Sequence, residues 1–192
     1  MQPFEKMKEW LKQESALGSP EPNRVVLATA AKNARPHSRI VAIREITDHG
    51  VLFFTQSGTK KVAQLQENPF ASMTLWLPMQ QRQIILDGAI EKLTTTNNEY
   101  YWQTLTPERQ LRFCAYAPTS GQPIGSLADI EGRYKKLLDE AANHEIPMSS
   151  CYCGFRLIPE TFYFYTLGAD KFSEVILCQR HPSGWQKSLL SP

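Results

Sequence analysis

The chain has 192 residues, enough to bury one sizeable core, and a single domain over 1–192 is the expectation. With 42% hydrophobic and 21% charged residues it reads as an ordinary globular protein, and a net charge of +2 with no Lys/Arg run longer than two excludes a nucleic-acid footprint. The N-terminus MQPFEKMKEW lacks the apolar stretch of a secretory signal, and no window approaches a membrane span, so cytoplasmic residence with no membrane partner is expected.

Phe4, Met7, Trp10 and Leu11 recur at helical spacing behind Pro3, which predicts a helix over 3–14. Gly18-Ser-Pro-Glu-Pro-Asn23 is a breaker cluster and hence a loop. Three strand signals follow closely: 24–31, 38–46 after a turn near Asn33–Pro36, and 51–55 after the turn Asp48-His-Gly50. Such short connections favour antiparallel pairing, because parallel strands need long crossovers. A short helix is expected over 59–67, with Thr59 as N-cap and Asn68-Pro69 as its end.

Two more strands are predicted at 71–77 and 83–93, where Gly88 signals a bulge or a close backbone approach. Helical patterns return at 97–105, 107–115 and 127–143, before Pro147. Strands at 153–158, 161–167 and 173–180 and a short one at 185–189 complete the chain. The fold class is therefore mainly β with inserted helices, and a closed or partly closed barrel is the natural way to remove sheet edges.

The four cysteines, Cys114, Cys151, Cys153 and Cys178, form no C-x-x-C and do not cluster with the four histidines, so reduced thiols rather than a metal site are expected. The segment Phe54-Thr55-Gln56-Ser57-Gly58-Thr59-Lys60-Lys61 is more informative. A strand ends, a turn follows, and a helix opens with two lysines where the helix dipole is already positive. A bound anion resolves that conflict, with backbone N–H groups, the hydroxyls of Thr55, Ser57 and Thr59 and two ammonium groups as donors. A solvated basic turn is the competing reading. In Arg39-Ile-Val-Ala-Ile-Arg44, alternation puts the two arginines on opposite strand faces, either as surface charges or with one aimed at a phosphate. The amide of Gln83 offers both donor and acceptor, suiting a ring edge that alternates carbonyls and N–H groups, or simply a polar strand end.

Taken in order, RVVLAT (24–29), RIVAIR (39–44), FFTQSGTKK (53–61), Asn68-Pro69, Arg82-Gln83, Gly154-Phe155-Arg156, Gln179-Arg180, Trp185 and the terminal Leu190-Ser-Pro192 resemble the pyridoxamine 5′-phosphate oxidase family over nearly the whole chain. The resemblance implies a split β-barrel homodimer, with flavin mononucleotide (FMN) at the subunit interface and a small-molecule substrate such as pyridoxine or pyridoxamine 5′-phosphate. It places Arg39, Lys60 and Lys61 on the FMN phosphate and Ile40, Val41, Phe54 and Thr55 along the ribityl chain and ring. It puts Gln83 against the flavin, Thr119-Ser120 near a Gln-Ser pair supplied by the partner subunit, and Tyr165 at an aromatic position, usually Trp, beside the ring. The implied substrate contacts are Arg44, Tyr101 and Arg109. Here the chain departs from the family pattern: Arg44 replaces a lysine, Leu105 an arginine and Arg109 a serine, while Lys171-Phe172-Ser173 stands for Arg-x-His and Val175 for a further arginine. The readings this leaves open are a vitamin B6 phosphate oxidase with a rebuilt pocket, a flavin oxidoreductase or reductase for another substrate, and a non-catalytic flavin-binding dimer.

Overall fold

The computed structural model describes residues 2–141 and 145–192. Eight strands form one sheet: β1 (Arg24–Ala30), β2 (Pro36–Thr47), β3 (Gly50–Gln56), β4 (Phe70–Leu77), β5 (Arg82–Lys92), β6 (Tyr152–Thr166), β7 (Glu174–His181) and β8 (Gly184–Leu190). Their order is β3-β2-β1-β4-β5-β6, and β3 also pairs with β6, so six strands close into a barrel while β7 and β8 continue outward from β6. The helices among the described residues are α1 (Pro3–Ala16), α2 (Lys60–Glu67), α3 (Thr95–Gln103), α4 (Pro107–Tyr116) and α5 (Leu127–Glu140). None of these is long and apolar enough to cross a membrane. The chain divides into two compact units, the first Met1–Phe53 with Gln64–Glu91 and Phe155–Pro192, the second Phe54–Ala63 with Lys92–Gly154.

In the first unit, strand alternation builds the core. β1 reads exposed-buried along Arg24–Thr29, sending Val25, Leu27 and Thr29 inward. Met73, Leu75, Ile84, Leu86, Phe53, Leu157 and Phe162 are fully or almost fully buried with them. β1 pairs antiparallel with β2 (Val26 opposite Ile40) and with β4 (Val26 opposite Thr74). Helix α1 lays its apolar stripe on the sheet, with Phe4 edge-on to Phe162 at 5.1 Å and Trp10 edge-on to Phe164 at 5.2 Å. Its Glu14 is fully buried and accepts from the Met79 amide (3.1 Å) and from Gln80 Nε2 (3.0 Å).

The expected strands at 153–158 and 161–167 are in fact one 15-residue strand, β6, and Pro159 does not break it. Two facts explain this. Pairing with β7 starts only at Thr161, so that ladder does not need the missing Pro159 N–H. Glycines also clear the path: a Cβ on Gly50 would run into the Leu157 carbonyl oxygen, and one on Gly88 into the Ile158 carbonyl oxygen and, at 2.8 Å, Pro159 Cα. Gly88 thus marks a close backbone approach, and it sits in regular register opposite Ala71 without a bulge. The helix expected over 127–143 ends at Glu140 with Ala141 as its cap; Ala142 and Asn143 lie outside the described residues. The first helix runs two residues beyond its expected end.

Candidate functional site

In the first unit the side chain of Arg39 is partly buried among acceptors that carry no charge. Its Nη1 donates to the Leu27 carbonyl (3.1 Å) and to Thr29 Oγ1 (2.7 Å), and its Nη2 approaches Gln64 Oε1 (3.5 Å). Thr29 Oγ1 donates in turn to Gln64 Oε1 at 2.7 Å. Thr29 and Gln64 are buried, and burial lowers the Arg39 pKa. Among the described residues no carboxylate pairs with this guanidinium. A partly buried cation held by neutral groups keeps its full charge for an incoming anion.

In the second unit, Lys61 Nζ donates to Thr55 Oγ1 (2.9 Å) and Thr59 Oγ1 (3.2 Å) at the opening of α2. The Thr59 carbonyl accepts from the amides of Val62 and Ala63 and so begins the helix ladder. Its hydroxyl donates to the Gln56 carbonyl (2.8 Å), closing the turn instead of reaching forward to cap the helix amides. Lys60 is exposed. Both Thr55 and Thr59 are buried, so an ammonium and two hydroxyls converge where the strand hands over to the helix. Hydroxyl, ammonium and guanidinium donors are the chemistry a phosphate monoester needs, and in each unit the residues present fit such a group.

The remaining expected site residues are spread over both units. Ile40 is 67% exposed on the outer face of β2, whereas the Val41 side chain belongs to the core. Gln83 stands opposite Trp76 on β5, and Arg44 is exposed at the register shift between Ile43 and Glu45. Phe54 stacks on Tyr152, with centroids 5.0 Å apart and planes 7° apart, and Tyr101 tilts against Phe54 at 5.0 Å. Gly154 makes room for this stack, since a Cβ there would press on the Phe54 ring. Ser120 Oγ donates to Gln56 Oε1 (3.2 Å), and Thr119 Oγ1 accepts from Arg133 (2.9 Å). Arg109 is exposed in the first turn of α4, where its backbone amide, not its side chain, bonds the Thr106 hydroxyl.

Two departures from the family pattern have structural counterparts. Leu105 is partly buried and packs against the buried cluster of Trp102, Phe113, Ala117 and Tyr152, so an apolar contact stands where the family pattern has an arginine. Ser173 Oγ is bonded by Tyr165 OH (2.9 Å) and by the Gly168 amide (3.3 Å), so the substituted ring and the substituted Arg-x-His position are tied to each other. Sequence reasoning assigned no role to Thr29 or Gln64. The signal was present: Thr29 is a hydroxyl on the inward parity of β1, and Gln64 is an amide beside the buried face of α2.

The family model described as pyridoxamine 5′-phosphate oxidase matches residues 5–122. A pyridoxine/pyridoxamine 5′-phosphate oxidase of Alteromonas mediterranea is 31% identical over 191 residues, covering 99% of this chain and 89% of that protein. One from Nostoc punctiforme is 30% identical, covering all of this chain and 89% of that one. Among solved structures, PhzG from Burkholderia lata, crystallised with tetrahydrophenazine-1-carboxylic acid, superposes with a TM-score of 0.88 at 26% identity over all of this chain and 93% of its own. An FMN-binding protein of Nostoc punctiforme related to pyridoxamine 5′-phosphate oxidase has the same fold, with a TM-score of 0.78 at 20% identity over 97% of this chain and 96% of that one. The family model matches more than half of the chain, and relatives about 30% identical match nearly all of it: the chain belongs to the pyridoxamine 5′-phosphate oxidase family.

Proposed function

We propose that the protein is an FMN-dependent oxidase that works as a cytoplasmic homodimer with FMN at the subunit interface. The observation that carries this reading is the Arg39 guanidinium, partly buried and, among the described residues, paired with no carboxylate, in a chain of this family. Arg39, Lys60 and Lys61 hold the FMN phosphate. Ile40, Val41, Phe54 and Thr55 follow the ribityl chain and ring, Gln83 and Tyr165 meet the ring, and Thr119 and Ser120 serve the partner's cofactor. When bound, FMN would supply the redox chemistry, a two-electron oxidation of the substrate with oxygen as the final acceptor. The protein's part is to orient the substrate with Arg44, Tyr101 and Arg109 and to keep a positive field around the cofactor. The dimer is supported by the outer face of β1, β2 and β4, where Val26 (40% exposed), Ile40, Phe70 (53%) and Trp76 (52%) leave apolar surface uncovered.

The first substrate class is pyridoxine or pyridoxamine 5′-phosphate, the substrate in the names of the curated relatives. A second reading, a planar ring substrate without a phosphate, is favoured by Leu105 packed among aromatics and by Ser173 bonded to Tyr165. The ligand crystallised with PhzG, tetrahydrophenazine-1-carboxylic acid, is likewise a ring compound without a phosphate. The purified protein should be yellow, elute at about twice its 21.9 kDa chain mass, and release FMN on denaturation. Under anaerobic conditions pyridoxamine 5′-phosphate should bleach the flavin if the first class is right, and a reduced tricyclic carboxylic acid if the second is. Colourless protein that takes up no added FMN refutes both.

A further inference from the structure

We infer that Thr29 and Gln64 are positioning residues that hold Arg39 ready for the cofactor phosphate before the cofactor arrives; the inference rests on the FMN reading above. An arginine side chain has large rotamer freedom, and fixing it on binding costs affinity. Here most of that cost is met within the chain. Both hydrogens of Nη1 are directed at fixed acceptors, the Leu27 carbonyl and Thr29 Oγ1, and Nη2 leans on Gln64 Oε1. Among the described residues Nε–H and one hydrogen of Nη2 have no acceptor in these bonds and remain for a ligand.

Thr29 is the pivot because its hydroxyl does two jobs at once, accepting from Arg39 and donating to Gln64. A carbonyl in that place could accept but not donate, whereas one hydroxyl oxygen does both. The choice of acceptors matters as much as their number. A carboxylate at Thr29 or Gln64 would orient the guanidinium equally well but neutralise it, whereas hydroxyl and amide oxygens orient it and leave the charge intact. Gln64 lies on α2 three residues after Lys61, so the helix that opens with the lysines also carries this brace.

The test compares binding of FMN and of riboflavin, which lacks the phosphate, to apoprotein by flavin fluorescence quenching. Thr29→Val keeps the shape and removes the hydroxyl. It should raise the Kd for FMN about tenfold while leaving riboflavin within about twofold, and Thr29→Ser should restore FMN binding. Gln64→Leu should act in the same direction. In an Arg39→Ala background, Thr29→Val should have no further effect on FMN. Riboflavin binding also reports that each variant is folded. Equal losses for FMN and riboflavin, or a full Thr29→Val effect without Arg39, would overturn the positioning role while leaving the FMN reading intact. If the unaltered chain binds no FMN, that reading falls and this inference falls with it.

Discussion

The seam where β6 closes the barrel can be tested by adding a single methyl group. In Gly88→Ala the new Cβ would lie 2.8 Å from Pro159 Cα and closer still to the Ile158 carbonyl oxygen. Reaching the 3.4 Å of ordinary contact requires the strands to part by at least 0.6 Å at Pro159. The obstructing atoms are backbone, and the proline ring fixes φ, so no side-chain rotation relieves the clash. Overpacking of this kind costs about 1–3 kcal/mol, and a rigid obstacle puts Gly88→Ala at the upper end, about 3 kcal/mol. For a chain of this size that corresponds to a melting temperature lower by roughly 6–12 °C. Gly132→Ala is the control. Gly132 lies within α5, where an added Cβ would meet nothing within 4 Å, and alanine there should stabilise by about 0.5–1 kcal/mol. Both variants would be followed by far-UV circular dichroism during thermal and urea denaturation. A Gly88→Ala protein melting within about 2 °C of the parent would refute the close crossing.

Other expectations follow from single groups. Burial pushes the Cys153 thiol up to about 11 from 9.0, so folding favours its protonated form. That contribution is complete below pH 9 and drains away as pH rises toward 11; urea unfolding from pH 8 to 11 should show a decline that is shallower in Cys153→Ala. Glu14→Ala removes the acceptor of the Met79 amide and of Gln80 from a fully buried position, and should cost about 2–3 kcal/mol in the same assay. Lys60→Ala and Lys61→Ala should each weaken FMN binding about tenfold or more, with Lys61→Ala the greater loss because its ammonium is held by two buried threonines. Isothermal titration would measure both.

What could be read in advance follows from the range of the forces involved. Alternating burial along β1, β4 and β5 is a local signal, and these strands lie where periodicity puts them, within one residue at most boundaries. The lysine pair at a helix start is an equally local signal, because it sets like charge next to a positive helix end within one turn. The barrel's closure could not be read this way, since it joins β3 to β6 across about a hundred residues of chain. The continuity of β6 through Pro159, where two strands were expected, is non-local for the same reason. A proline inside a strand signals a break only if its neighbours need its N–H, and which neighbours it has is a property of the fold. Gly50 and Gly88 held the missing information, but their meaning appears only once β6 lies across them. The cation site divides along the same line. Arg39 announces itself by charge, whereas Thr29 comes from a neighbouring strand and Gln64 from a helix 25 residues further on, both of them uncharged. Charged groups in such a site are therefore legible one at a time, and the neutral groups that aim them are legible only together, which makes Thr29→Val a sharper probe of this site than removing any of its cations.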